Sequence, residues 1–131
     1  MRPAHVSLAA LLVLLCGCAS GLHRPVSSMD AVTDAQGVQR VQLDLHTYYF
    51  KPNRIVVHAG HPVELVLHNR ALIVPHNFTL SDTALKVSVD KWGPGTARAS
   101  FTPRIPGEYH FYCDEHGHAG KGMTGTLVVL P

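Results

Sequence analysis

Cysteine is scarce in this sequence. The chain has three cysteines in 131 residues, and two of them, Cys16 and Cys18, lie near the N-terminus. Cys113 is therefore the one thiol left for the body of the chain, so no disulfide can form within that body. This excludes a disulfide-stapled scaffold, and the isolated thiol of Cys113 needs another explanation.

Charge is scarce as well. Charged residues make up 15% of the sequence, the formal net charge is +2, and Lys and Arg form no cluster. A nucleic-acid binder needs a basic patch, so nucleic acid is not expected as a partner. No stretch is convincingly helical, no internal repeat is present, and the length fits one domain. The residue type in excess is histidine, with ten copies.

The N-terminus has the pattern of an export signal. Arg2 precedes an apolar run over residues 6–15, which suits a signal peptide but is too short to span a bilayer comfortably. The following Leu15-Cys16-Gly17-Cys18 resembles the lipobox of bacterial lipoproteins, in which the last cysteine is acylated and becomes the new N-terminus. We therefore expect a signal peptide over residues 1–17 and a lipid on Cys18. The alternatives are a plain secretory signal cleaved nearby and an uncleaved anchor.

Residues 18–36 are interpreted as a lipidated tether, because they are rich in Ser, Gly, Asp and Ala and show no sustained periodicity. A short strand or arm packed on the domain is the alternative. The domain itself is expected over residues 37–131. Ala19 stands where lipoproteins retained at the inner membrane carry Asp, so an outer-membrane lipoprotein facing the periplasm is expected if the cell is Gram-negative.

Alternation of polar and apolar residues dominates the rest of the chain. It is strict over residues 40–46 and 96–102, which is typical of half-buried strands. Further strand candidates cover residues 54–58, 62–68, 77–80, 86–90, 107–113 and 125–130, with Pro or Gly between them. Many short strands separated by turn residues predict an all-β fold, a single antiparallel β-sandwich or barrel.

The segment from Cys113 to Met123 concentrates side chains that bind copper. It holds one thiol, one thioether and the imidazoles of His116 and His118. Sulfur donors favour Cu(I), imidazole suits both copper oxidation states, and a trigonal His/His/Cys site with a distant axial Met is the blue-copper arrangement. A second imidazole must come from elsewhere, and His76 is the best upstream candidate. Metal ligation would also keep the thiol of an exported protein unoxidised.

These residues resemble the cupredoxins, the superfamily of plastocyanin and azurin, over roughly residues 38–130. The likeness lies in Tyr49-Phe50-Lys51-Pro52-Asn53, in Val74-Pro75-His76-Asn77-Phe78 and in Pro106-Gly107-Glu108-Tyr109-His110-Phe111-Tyr112-Cys113. The resemblance implies a Greek-key sandwich that holds one copper ion. Its ligands would be His76, Cys113, His118 and Met123, and the side chains of Asn77 and Asp114 would brace the two ligand loops.

His116 introduces an alternative ligand. It lies at the shorter Cys-x2-His spacing seen in plastocyanin-like loops, whereas His118 lies at the longer azurin-like spacing. If His116 were the ligand, the shorter alignment would place a methionine near position 121, but Lys121 stands there. The position of Met123 therefore agrees better with His118 as the ligand. His116 is then a solvent-facing residue or a transient docking ligand for incoming copper.

The resemblance implies a mononuclear type 1 (blue) copper protein that carries single electrons, and the N-terminal signal predicts that it does so at the cell envelope. An enzyme is not expected, because the sequence shows no other set of catalytic residues. The protein would be a monomer that meets redox partners transiently at an apolar patch around His118, with Ala119, Gly120 and Pro75 contributing. A copper-tolerance or copper-delivery protein without a dedicated redox partner is the alternative. A more remote alternative is a β-sandwich interaction domain with an inert site.

Overall fold

The computed structural model describes residues 24–81, 83, 86–89 and 94–131. Within this part, the chain forms eleven strands and one turn of 3₁₀ helix, which confirms the expected all-β class. The strands are β1 (Ser28–Asp30), β2 (Val32–Thr33), β3 (Gln39–His46), β4 (Tyr49–Lys51), β5 (Arg54–His58), β6 (Val63–Asn69), β7 (His76–Leu80), β8 (Lys86–Val89), β9 (Gly95–Phe101), β10 (Gly107–Tyr112) and β11 (Thr124–Leu130). The 3₁₀ turn spans Ala119–Lys121.

The described strands form two sheets that pack face to face. The first has the order β1-β5-β11-β10-β7-β8, and the second has the order β2-β3-β6-β9, with β4 also paired to β3. Most neighbours are antiparallel, as the sequence predicts. Three pairings are parallel, namely β1 with β5, β5 with β11 and β3 with β6. The last of these arises because the chain crosses to the first sheet as β5 before it returns to the second sheet in its original direction.

The core lies between the two sheets and follows the alternation in the sequence. Along β3, Val41, Leu43 and Leu45 are buried, and the residues between them are at least partly exposed. Three phenylalanines from different strands meet in the centre: the ring of Phe111 lies 5.2 Å from that of Phe50 and 5.1 Å from that of Phe78. This aromatic cluster fixes how the two sheets stack.

One end of the sandwich gathers the loops on which the predicted ligands lie. Strands β3, β6 and β10 end there, and β4, β5, β7 and β11 begin there, as their registers require. The end therefore carries residues 46–49, 70–76 and 113–123, and it is called the ligand end below. Both sheets contribute loops to it.

The folded part begins earlier than the expected boundary at residue 37. Strand β1 adds to the edge of the first sheet beside β5, and β2 adds to the second sheet beside β3. The arm is held further by Asn53, whose side chain accepts a hydrogen bond from the Ser27 N–H at 2.8 Å and donates one to the Pro25 carbonyl at 3.2 Å. Residues 24–36 therefore form a packed arm, which was the alternative to a tether, and residues 18–23 lie outside the described part of the chain. Its exposed residues carried no periodicity from which to predict it.

Two expectations about the membrane concern the N-terminus. The predicted signal peptide and Cys18 lie outside the described residues. Among the described residues, the structure contains no helix of the length and apolar character needed to cross a bilayer.

Candidate metal centre

Three predicted ligands come together at the ligand end. His76 is the first residue of β7, Cys113 directly follows β10, and His118 directly precedes the 3₁₀ turn. His76 and Cys113 are 0% exposed and His118 is 8% exposed. One donor atom from each residue lies within 4.8 Å of the other two. Two neighbouring strands and the loop between β10 and β11 thus bring one thiol and two imidazoles to a single point.

The spacing of the donor atoms fits a trigonal metal site. The Sγ atom of Cys113 lies 3.4 Å from Nδ1 of His118 and 3.9 Å from Nδ1 of His76. A late first-row metal ion, with bonds of about 2.0–2.3 Å to nitrogen and sulfur, separates neighbouring donors in a trigonal plane by about 3.5–3.8 Å. The observed distances bracket that range. A soft sulfur with two imidazoles is also the donor set of blue-copper sites, so the residues form a candidate copper site.

Met123 closes the loop that carries Cys113 and His118. The Cys113 N–H donates to the Met123 carbonyl at 3.1 Å, and the Met123 N–H donates to the His118 carbonyl at 3.1 Å. Met123 is 0% exposed, so its thioether is enclosed by the protein. Gly122 makes the closure feasible, because its φ of 94° lies in the left-handed region that glycine adopts without strain.

A hydrogen-bonded clasp joins the two ligand loops. The Asn77 side chain donates to the Asp114 carboxylate at 2.6 Å and accepts from the Asp114 N–H at 2.9 Å. The Asn77 N–H also donates to the sulfur of Cys113 at 3.4 Å. The resemblance predicted that Asn77 and Asp114 brace these loops, and the structure places them in that arrangement. The clasp holds the residues next to His76 and Cys113 at a fixed separation without any metal.

Burial sets the protonation of the three donors. It lowers the pKa of His76 to about 4, with smaller contributions from His118 and His46. Burial also lowers the pKa of His118, helped by Lys121 and opposed by Glu115. It raises the pKa of the Cys113 thiol, although the Asn77 N–H acts in the opposite direction. At neutral pH both imidazoles are therefore neutral and able to bind a metal, whereas the thiol must release a proton to do so.

His116 does not join this group in the structure. It is exposed on the loop between β10 and β11 and is not part of the cluster that His76, Cys113 and His118 form. Ala119 and Gly120 are exposed on the same loop as His116. The loop over residues 70–76, at the same end, carries the half-buried Pro75 and the highly exposed Leu72 and Ile73.

Tyr48 also lies at this site, although no motif in the sequence indicates it. Tyr48 lies in the turn between β3 and β4, and its ring packs edge-on against that of His118, with the centroids 4.9 Å apart. The ammonium of Lys121 lies 4.0 Å from the centre of the same ring. No local pattern predicts this contact, because it depends on how the second sheet packs beside a loop far along the chain.

Comparison with known proteins agrees with this fold. A family model described as "Cupredoxin-like domain" matches residues 7–129, so the chain belongs to the cupredoxin-like family. Barley (Hordeum vulgare) chloroplastic plastocyanin is 34% identical over 89 residues, which cover 61% of this chain and 54% of that protein. The chain thus spans about half the length of this relative.

Solved structures of copper proteins share the fold. A dithionite-reduced auracyanin from Roseiflexus castenholzii superposes with a TM-score of 0.65 at 18% identity, covering 77% of this chain and 99% of auracyanin. The metal-binding domain of the Cu(I)-exporting P-type ATPase CopA from Streptococcus pneumoniae D39, solved with Cu(I), gives 0.63 at 19% identity, covering 82% and 100%. At this level of identity the likeness concerns the fold alone.

Proposed function

We propose that this protein holds one copper ion in a type 1 (blue) site and carries single electrons at the cell envelope. The observation that carries the proposal is the convergence of Cys113 Sγ with the Nδ1 atoms of His76 and His118 in a buried cluster. These three residues would form the trigonal plane, and Met123 would be the axial ligand. Copper, when bound, supplies a Cu(I)/Cu(II) couple.

The protein's part in this function is to hold the donors still. The Asn77–Asp114 clasp and the backbone bonds between Cys113, His118 and Met123 fix the ligand loops. Burial excludes water from the sulfur and keeps the imidazoles unprotonated. A site whose donors hardly move between oxidation states needs little reorganisation, which favours rapid electron transfer. No further catalytic role is proposed, and the protein is taken not to be an enzyme.

We place the electron's exit at His118, the most exposed of the three donors. Its loop presents Ala119 and Gly120 to solvent, and Leu72 and Ile73 are exposed at 72% and 75% on a neighbouring loop. A redox partner would dock there transiently, through a small and weak interface with a monomeric carrier. The proposal includes export, removal of residues 1–17 and a lipid on Cys18, with the outer membrane preferred in a Gram-negative cell.

Copper delivery or tolerance is the second candidate. It is favoured by the exposed His116, two residues from His118, which offers incoming copper a first imidazole at the surface. The two functions differ in whether the protein releases its copper. An electron carrier keeps its copper through repeated oxidation and reduction, whereas a delivery protein favours one oxidation state and releases copper to an acceptor chelator.

The test is a copper titration of the purified protein, followed by visible absorption and paramagnetic resonance. We expect an intense thiolate-to-copper band with narrow hyperfine splitting, absent in His118→Ala and retained in the matched His116→Ala variant. Loss of the band in His116→Ala alone would reverse the ligand assignment. Weak tetragonal copper in the unmodified protein would refute the electron carrier and leave copper handling.

A further inference from the structure

Tyr48 adopts a backbone conformation that is unfavourable for its side chain. Its φ is 63°, and it is the one residue other than glycine with a positive φ in the part of the chain that the structure describes. Bulky residues are rare in this left-handed region, where Gly or Asn fits without strain. Such strain persists only when the surroundings hold the residue in place, and it is concentrated at functional sites.

The surroundings of Tyr48 belong to the ligand loop. The edge-on packing against His118 has an interplanar angle of 72°, a favourable geometry for two aromatic rings. On the same tyrosine ring, the Lys121 ammonium makes a cation–π contact. His118 directly precedes the 3₁₀ turn and Lys121 is its last residue, so one strained residue of the β3–β4 turn contacts both ends of this short segment.

The His118 ring depends on packing for its orientation, because its Nε2 atom has no hydrogen-bond partner among the described residues. Imidazoles that bind metals usually donate their second N–H to a fixed acceptor, which sets the orientation of the ring. In the described part of the chain, the structure gives Nε2 of His118 no such partner, while Nδ1 faces the sulfur of Cys113. Packing must therefore orient this ring, and Tyr48 is the aromatic residue of the second sheet that packs against it.

We propose that Tyr48 is the positioning residue of His118: its ring holds the imidazole with Nδ1 on the Cys113 sulfur before any metal arrives. The inference rests on the proposed function for the identity of the metal, but the orientation itself is a property of the copper-free protein. The strain at Tyr48 is the local consequence of placing an aromatic ring where the backbone would favour Gly or Asn.

The first test uses the copper-free protein. Nuclear magnetic resonance of the side chains should show cross-relaxation between the Tyr48 and His118 ring protons and a single sharp set of His118 ring signals. Tyr48→Asn removes the ring and suits the left-handed backbone, so the protein should stay folded while the His118 ring signals broaden or split into more than one set. Tyr48→Phe keeps the ring and should restore the native signals.

The second test adds Cu(I) in competition with a chromophoric chelator. Tyr48→Asn should weaken copper binding by about tenfold or more, as loss of an orienting neighbour does at other metal sites. It should also change the hyperfine splitting of the Cu(II) form, whereas Tyr48→Phe should match the unmodified protein in both respects. A Tyr48→Asn protein with one sharp set of His118 ring signals and native copper affinity would overturn the inference, and so would missing cross-relaxation in the unmodified protein. If no blue-copper spectrum forms at all, the proposed function fails, while the copper-free measurement still decides the role of Tyr48.

Discussion

His76 is a titratable side chain that the fold shields completely from solvent. It is fully buried, and its Nε2 is the one buried side-chain nitrogen or oxygen without a hydrogen-bond partner in the described residues. An unpaired buried polar atom costs free energy, and protonating this ring would cost more. Burial of this unpaired nitrogen therefore destabilises the copper-free fold, and it also keeps the His76 imidazole neutral, with Nδ1 facing the Cys113 sulfur.

This cost predicts how the stability of the copper-free protein depends on pH. The pKa of His76 falls from 6.5 unfolded to about 4 folded, so the unfolded chain binds more protons between these values. Stability should be fully present above pH 6.5 and fall as the pH drops toward about 4, by up to about 3 kcal/mol from this residue. Urea denaturation across this range should show a weaker loss in His76→Gln. His61→Gln, on an exposed turn, is the control and should behave like the unmodified protein; equal pH dependence in all three would contradict the prediction.

At the scale of elements, β10 and β11 leave no room for a side chain where Gly125 faces Phe111. A Cβ atom at position 125 would lie 2.2 Å from Cζ of Phe111 and 2.7 Å from the carbonyl oxygen of Asn53. The Phe111 ring cannot move away easily because Phe50 and Phe78 pack against it. We predict that Gly125→Ala lowers the free energy of unfolding by about 1–3 kcal/mol, as overpacking of a filled core does.

Gly120→Ala is the matched control for that change. Gly120 is exposed, has an ordinary φ, and a Cβ there would meet no atom within 4 Å. Urea denaturation should therefore show nearly native stability for Gly120→Ala and a clear loss for Gly125→Ala. If both variants unfold at the same denaturant concentration as the unmodified protein, the close packing between β10 and β11 is not rigid.

The elements differ in how far the sequence predicts them. Strands β3, β5 and β9 follow from strict alternation or from flanking Pro and Gly, and their bounds agree with the predicted ones to within about two residues. The three parallel pairings cannot be predicted from the sequence. A periodic pattern indicates which face of a strand is buried, but it does not indicate which strand lies beside it or in which direction that strand runs. Of the site, copper ligation by Met123 stays a prediction. The convergence of Cys113 with His76 and His118 was predicted from the chemistry of these residues and from the cupredoxin resemblance. Tyr48 was not, because an aromatic residue in a turn has no signal until the opposite loop is placed.

At the scale of the whole molecule, the ligand end joins the two sheets. His76, Cys113 and His118 come from the first sheet and its loops, while Tyr48 comes from the second. The site lies where both sheets end, so it depends on the stacking of the entire sandwich around the Phe50, Phe78 and Phe111 cluster.

The N-terminal arm enters the fold at this same end. Strand β1 runs parallel to β5, away from the ligand end, and the guanidinium of Arg24 lies 4.0 Å from the centre of the Tyr49 ring, next to Tyr48. Between Cys18 and Arg24, six residue steps span at most about 20 Å. A lipid on Cys18, as proposed, would thus hold the His118 face close to the bilayer.

Membrane-confined relaxation agents test that orientation. In the lipidated protein on nanodiscs with gadolinium-bearing headgroups, the amide of Ala119 should relax faster than that of Gly60 at the opposite end. A long Gly/Ser insertion after His23 should reduce the difference, because a flexible chain releases the domain. Faster relaxation at Gly60 would contradict the prediction.

Because the N-terminal arm joins the sandwich at the ligand end, a lipid on Cys18 would also determine how the protein meets its redox partners. An electron carrier whose ligand end faces its own membrane diffuses in two dimensions. It then meets redox partners that are anchored in the same lipid layer. Collisions become frequent even when the contact is weak, because tethering replaces bulk concentration with a high local one.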